Sequence, residues 1–110
     1  MTLPVPSLIA LSGAPSHPAP LDRAALLVID AQMEYVSGKL PLAGVGAALT
    51  EIAALLDLAR SRGVPVIHVA HISPAGRPLF DAASPHAAFA PEAAPRDGEA
   101  VVTKILTDRT

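Results

Sequence analysis

Residues 24–30 of the chain read AALLVID, six apolar residues without a polar break and then a carboxylate. A continuous apolar run that ends in Val and Ile predicts a β-strand buried on both faces. Such strands belong to open parallel α/β sheets, in which functional groups gather at the carboxyl ends of the strands. Asp30 lies at such an end. It is either a turn residue that binds its own backbone or a functional carboxylate.

The sequence after this strand predicts a βαβ unit. In residues 44–62 apolar side chains recur every three or four positions, which predicts an amphipathic helix. Gly63 and Pro65 are typical of the end of a helix, and residues 64–71, VPVIHVAH, predict a second strand. A third short strand is predicted at residues 99–104. Two strands joined through a helix lie parallel, with the right-handed crossover.

Length and composition limit the organisation of the chain. The 110 residues allow at most one domain, predicted at residues 21–110. Residues 1–20 hold five of the twelve prolines and predict an irregular N-terminal arm. Residues 72–98 are also rich in proline and predict a long loop, a kind of segment that is usually functional.

Charge and hydropathy exclude two classes of partner. The net charge is -2 and Lys and Arg form no cluster, which argues against a nucleic-acid surface. No apolar stretch approaches the ~18 residues of a membrane span. The N-terminus has no basic region followed by a long apolar stretch, so a cytoplasmic location is expected. The chain has no cysteine, which excludes disulfides and a cysteine nucleophile of its own.

Three predicted strands end in residues that carry chemistry: Asp30, His71 and Lys104. The carboxyl ends of parallel strands share one rim, where the carboxylate could act as a general base and the lysine could stabilise negative charge. The alternative for Lys104 is a solvated lysine at a strand end. His68 is interpreted as a core histidine. Because His68 and His71 point to opposite faces of a strand, they form no simple ligand pair for a metal. No metal site and no cofactor are predicted.

Three motifs follow one another in the chain. LVIDAQ at residues 27–32 has Tyr35 shortly after it, PVIHV stands at residues 65–69, and GEAVVTK at residues 98–104. In this order they resemble the isochorismatase-like cysteine hydrolases, and the resemblance covers roughly residues 20–104. It implies a Rossmann-like three-layer α/β/α fold with a parallel sheet. It also implies hydrolysis of a small amide, or of the enol ether of isochorismate, through an Asp-Lys-Cys triad.

The resemblance assigns the general base of the triad to Asp30 and the charge-stabilising lysine to Lys104. It also places Gln32 and Tyr35 beside the substrate, and we add His71 to the substrate-binding residues because of its position on the rim. The Asp and His cluster that binds metal in nicotinamidases is missing from this sequence.

The sequence departs from the family where the nucleophile is concerned. The cysteine of the family follows a fourth strand, which these 110 residues do not reach. We therefore expect the N-terminal part of the fold, the first βαβ half plus a third strand, truncated before the nucleophile. Such a chain is expected to be inactive alone and to pair with another copy or with a complementary C-terminal half. The alternative is a non-catalytic fragment or assembly module.

Overall fold

The computed structural model describes residues 20–105. Three strands form one parallel sheet in the order β1 (Leu26–Ile29), β2 (Val66–Ile72) and β3 (Ala100–Ile105). Helix α1 (Val45–Ser61) connects β1 to β2. The predicted α/β class and βαβ unit are confirmed. All of the predicted proline-rich arm except Pro20 lies outside the described residues.

The spacing of apolar residues at every third or fourth position explains why helix α1 forms. Leu49, Leu56 and Ala59 recur on one face and are buried in the core, whereas Asp57 on the opposite face is exposed. The helix ends where Gly63 takes a left-handed conformation with φ of 70°, which costs glycine no steric strain. The chain then enters β2 directly.

The core lies between α1 and one face of the sheet. Val28 of β1 and Val66 of β2 pack against α1. Two short 3₁₀ turns, Pro85–Ala87 and Pro91–Ala93, interrupt the long loop before β3, and the second of them contacts α1. The loop therefore contributes to the core instead of lying wholly on the surface.

The prediction that β1 is buried on both faces is wrong for the described residues. Val28 is buried, but Leu27 is 52% exposed and Ile29 is 57% exposed. Alternate side chains of a strand point to opposite faces, and in residues 20–105 the only α-helix packs on the Val28 face. The apolar run marks a strand with two apolar faces, of which one is covered here.

The predicted three-layer arrangement is present in part, since this portion of the chain supplies one helical layer and the sheet. β1 is an edge strand within residues 20–105. No helix among the described residues is long and apolar enough to cross a bilayer.

Candidate functional site

Asp30 and Lys104 meet at the carboxyl ends of the strands. Lys104 Nζ donates a hydrogen bond to Asp30 Oδ2 at 3.1 Å, and the two side chains form an ion pair. The Asp30 side chain is 22% exposed and that of Lys104 is 45% exposed, so both can be reached from solvent. The structure thus brings together the two residues to which the sequence pointed, while their catalytic role stays a prediction.

Two backbone features place this pair. Asp30 is left-handed, with φ of 58°, a conformation that aspartate adopts more readily than most residues. Its N–H still donates to Val69 O at 2.8 Å, so the bend occurs where β1 stops pairing with β2. On the other side, the β2–β3 register sets Lys104 beside His71. Their side chains therefore leave the same face of the sheet.

The second oxygen of the Asp30 carboxylate has no hydrogen-bond partner within the described residues. This oxygen, Oδ1, is buried, whereas Oδ2 carries the bond to Lys104. Buried acceptors in native proteins are nearly always bonded, so an unpaired one calls for an explanation. The unpaired Oδ1 is therefore an acceptor that a group bound beside Asp30 could use.

A hollow of about 150 Å³ opens beside Asp30 between β1 and α1. Its wall is mostly aliphatic, with Asp30 as the charged group. It is lined by Ile29, Asp30, Ala31, Gln32, Tyr35, Leu42, Val45, Ala48, Leu49 and Ile52. A larger apolar hollow of about 240 Å³ lies at the other end of the same β1–α1 seam, around Leu26 and Leu55, and it contains no charged residue.

Gln32 joins the ends of β1 and β2. It is buried, and its Oε1 accepts the N–H of His71 at 2.8 Å. Its Nε2 donates to His71 O at 2.8 Å and to Ala87 O at 2.7 Å. The amide thus ties three segments together, which accounts for its hydrogen bonds without a ligand. Although Gln32 lines the hollow, its contact with a substrate stays a prediction.

Tyr35 and His71 are connected through Phe80. The Phe80 ring stacks on His71 with centroids 4.8 Å apart and meets Tyr35 edge-on at 5.5 Å. Burial raises the pKa of Tyr35, and the negative charge of Asp30 raises it further. Asp30 is therefore close enough to influence Tyr35 electrostatically. Substrate binding by Tyr35 and His71 remains a prediction.

The sequence patterns did not point to Glu34 and Phe80, which both lie close to the candidate site. Glu34 is only 2% exposed, and its carboxylate accepts the N–H groups of Phe80 and Lys39 at 2.6 and 2.8 Å. These bonds, that of Lys39 first, hold the pKa of Glu34 below its ordinary value. An isolated Glu two residues after Gln32 carries no signal of burial, because glutamate is rarely buried. Only the Gly38 nearby hinted at a tight turn.

A second cluster of polar side chains, around Glu99, lies just before β3. Arg60 Nε and Nη2 donate to the two oxygens of Glu99 at 2.7 and 2.8 Å, and His68 Nε2 lies 2.8 Å from Oε1. The bond from Arg60 is the main reason that the pKa of Glu99 lies far below its ordinary value. His68 is fully buried, which agrees with its interpretation as a core histidine. Residues 20–105 bring no three candidate metal ligands together.

Comparisons with known proteins agree with the geometry. The sequence profile of the isochorismatase domain matches residues 24–109. A secreted isochorismatase effector from Verticillium dahliae is 40% identical over 98 residues, which are 89% of this chain and 52% of that protein.

Solved structures give the same result. An isochorismatase from Pseudomonas putida KT2440 superposes with a TM-score of 0.81 at 44% identity over 93% of this chain and 53% of its own. A cysteine hydrolase from Pseudomonas syringae pv. phaseolicola superposes with a TM-score of 0.69 at 23% identity, over 81% of this chain and 49% of its own, and so shares the fold. The chain spans about half the length of the relatives that it matches.

Proposed function

Because the chain belongs to the isochorismatase family of hydrolases, we propose that it supplies the aspartate and lysine of a cysteine-hydrolase active site. The observation that carries the proposal is the Lys104–Asp30 contact of 3.1 Å, which leaves Asp30 Oδ1 unpaired at the edge of the hollow. The substrate class is a small molecule with an amide C–N bond or a related bond. These 110 residues contain no cysteine, so in this proposal a complementary C-terminal half supplies the nucleophile.

The residues of this chain have defined tasks in the proposed reaction. Asp30 takes the proton of the thiol, and Lys104 stabilises the negative charge that develops. The thiolate attacks the carbonyl carbon, the C–N bond breaks, and the departing nitrogen takes the proton from Asp30. A water molecule then attacks the thioester and gives a proton to Asp30, which returns it to the sulfur as the acid product leaves.

A chimera tests this proposal. Residues 20–105 replace the matching part of the Pseudomonas putida isochorismatase, whose remaining half provides the rest of the fold. Isochorismate and a set of small amides serve as substrates, and the chimera should hydrolyse at least one of them. Asp30→Asn and Lys104→Gln should each lower kcat/KM by a factor of about 10² to 10⁴, the usual contribution of a group that transfers protons or stabilises charge.

The matched control is Asp57→Asn, which changes an exposed carboxylate on α1 and should leave the rate unchanged. A folded chimera whose kcat/KM is unchanged by both Asp30→Asn and Lys104→Gln would refute the catalytic assignment. A folded chimera without turnover of any substrate would favour the alternative, a non-catalytic assembly module. Exposed apolar residues on β1, Leu27 and Ile29, support that alternative because they leave one face of the strand open for association. A cytoplasmic location remains part of the proposal.

A further inference from the structure

Glu34 is a charged side chain in an unusual place. Its carboxylate is buried and bound by the backbone N–H groups of Lys39 and Phe80, which belong to two different loops. A carboxylate that accepts two amide bonds is held in its charged form, and charge-assisted bonds of this kind are stronger than neutral ones. Glu34 lies in the 3₁₀ turn Met33–Tyr35 and therefore fastens the loop after this turn to the loop that contains Phe80.

The turn around Glu34 leaves no room for a side chain at Gly38. A Cβ atom there would lie 2.6 Å from Glu34 Cα and 2.9 Å from Glu34 O, closer than real Cβ atoms approach. Gly38 thus allows residues 37–39 to fold back on Glu34 and to present the Lys39 N–H to the carboxylate.

Phe80 has a conformation that its own sequence does not favour. Its φ is 53°, in the left-handed region, where a bulky residue is strained by about 1–3 kcal/mol. The backbone is fixed on both sides, because Phe80 N donates to Glu34 and Phe80 O accepts from Ser73 N at 2.7 Å. Such strain persists where the surroundings over-determine the conformation, and this occurs most often beside functional sites.

The strained backbone conformation of Phe80 determines where its ring lies. It lies against His71 on one side and Tyr35 on the other, at centroid distances of 4.8 and 5.5 Å. Tyr35 lines the hollow that contains Asp30, and His71 stands beside Lys104 in the sheet register. Phe80 therefore connects a residue that lines the hollow beside Asp30 with the residue that is paired to Lys104.

We propose that Glu34 is a positioning residue of the candidate site: its buried carboxylate holds Phe80 in the left-handed conformation, and Phe80 fixes the Tyr35 and His71 side chains. That Tyr35 and His71 face a substrate rests on the proposed function. That Glu34 sets their positions does not, and it can be measured on the chain without any reaction.

Two spectroscopic signals report the arrangement. Tyr35 is the only tyrosine and the chain has no tryptophan, so the absorbance of tyrosinate during an alkaline titration belongs to Tyr35 alone. The His71 ring stacks on the Phe80 ring, so the NMR resonances of the His71 ring protons carry the ring-current shift of Phe80. Glu34→Gln and Phe80→Leu should each move the His71 resonances away from their wild-type positions. Phe80→Leu should also lower the pKa of Tyr35, because it reduces the burial of the Tyr35 ring. Glu34→Gln lowers that pKa already by removing a nearby negative charge, so the His71 resonances are the test for Glu34.

Matched controls are available for both changes. Phe89→Leu alters the other phenylalanine, which contacts His68 instead, and Glu51→Gln alters an exposed glutamate on α1. Both should leave the Tyr35 titration and the His71 resonances as in the wild type. A Glu34→Gln chain that unfolds cooperatively and keeps the wild-type His71 resonances would overturn the proposal. So would a Phe80→Leu chain with unchanged signals.

If Glu34→Gln does not fold, hydrogen exchange of the wild-type chain decides the matter. The Phe80 N–H, bound by the buried carboxylate, should exchange as slowly as the central amides of α1. The N–H of Ala83, which donates to Asp81 Oδ1 in a solvent-exposed hydrogen bond of the same loop, should exchange much faster. Exchange of the Phe80 N–H at the rate of Ala83 contradicts the proposed role of Glu34.

Discussion

Lys104 Nζ and Asp30 Oδ2 lie 3.1 Å apart although 74 positions separate the two residues in the chain. An ion pair with a lysine that is 45% exposed stabilises a fold by at most about 1 kcal/mol. The left-handed backbone of Asp30 and its unpaired buried oxygen both act against stability. Folding energy alone therefore does not explain the arrangement, which supports the proposed role of this pair in the reaction.

The titration of Tyr35 should report the charges of this pair. Asp30→Asn should lower the pKa of Tyr35, because the negative charge that disfavours tyrosinate is removed. Lys104→Gln should raise the same pKa, because a neighbouring positive charge is lost. The measurement is tyrosinate absorbance against pH, with Asp57→Asn as a control. Shifts in the same direction for both variants would contradict the geometry.

Glu99 should make the fold sensitive to acid. Its pKa in the folded chain is far below the ordinary value of 4.5, so below about pH 4.5 the unfolded chain binds more protons than the folded one. Stability should therefore fall as the pH falls from about 5 to 3. The bidentate bond to Arg60 is the largest single cause of the lowered pKa of Glu99, and the lowered pKa of Glu34 acts on stability in the same direction.

Glu99→Gln tests the contribution of this cluster. At neutral pH it leaves the largely buried Arg60 without its partner, which typically costs about 3–5 kcal/mol of unfolding free energy. The dependence of stability on acid should also become shallower. Urea unfolding at several pH values measures both effects, and Glu51→Gln on the exposed face of α1 should change neither by more than about 0.5 kcal/mol.

The free energy of unfolding should depend on Leu56 and not on its neighbour Leu55. Leu56 is fully buried between α1 and the sheet, and Leu56→Ala should cost about 2–5 kcal/mol through lost burial and a cavity. Leu55 is exposed, so Leu55→Ala should change the free energy of unfolding by less than about 0.5 kcal/mol. Equal costs for the two variants in chemical denaturation would place the core elsewhere.

Gln32 should stabilise the connection between the ends of β1 and β2. Gln32→Leu keeps the side chain similar in size but leaves His71 N–H, His71 O and Ala87 O without their partner. Each buried group left unpaired costs about 1–3 kcal/mol. Stability should fall and the amide of His71 should exchange faster relative to amides within α1. An unchanged exchange rate of the His71 amide would show that other contacts hold the ends of β1 and β2 together.

The open face of β1 should promote association. Leu27 and Ile29 are both more than half exposed on an edge strand, and apolar edges of this kind pair with other chains. We expect the chain to associate at micromolar concentration in size-exclusion chromatography with light scattering. Ile29→Lys should raise the monomeric fraction, whereas Thr50→Lys on the exposed face of α1 should not. A cooperative wild-type monomer would contradict this expectation.

The sequence by itself determined the secondary structure and its order. The apolar run of β1, the three-and-four spacing of α1 and the glycine that ends it act through local periodicity and backbone sterics, which depend on near neighbours. The parallel pairing followed from the short helical connection, and the ends of the three strands predicted that Asp30, His71 and Lys104 share a rim.

Only the tertiary structure decided which faces are covered and which partners buried groups find. The second face of β1 is open, the amide of Gln32 is occupied by backbone groups, and Glu34 is buried beside the strained Phe80. Each of these depends on residues distant in sequence. Burial and hydrogen bonding of a polar side chain are set by whatever the fold brings against it, and a local pattern holds no record of that.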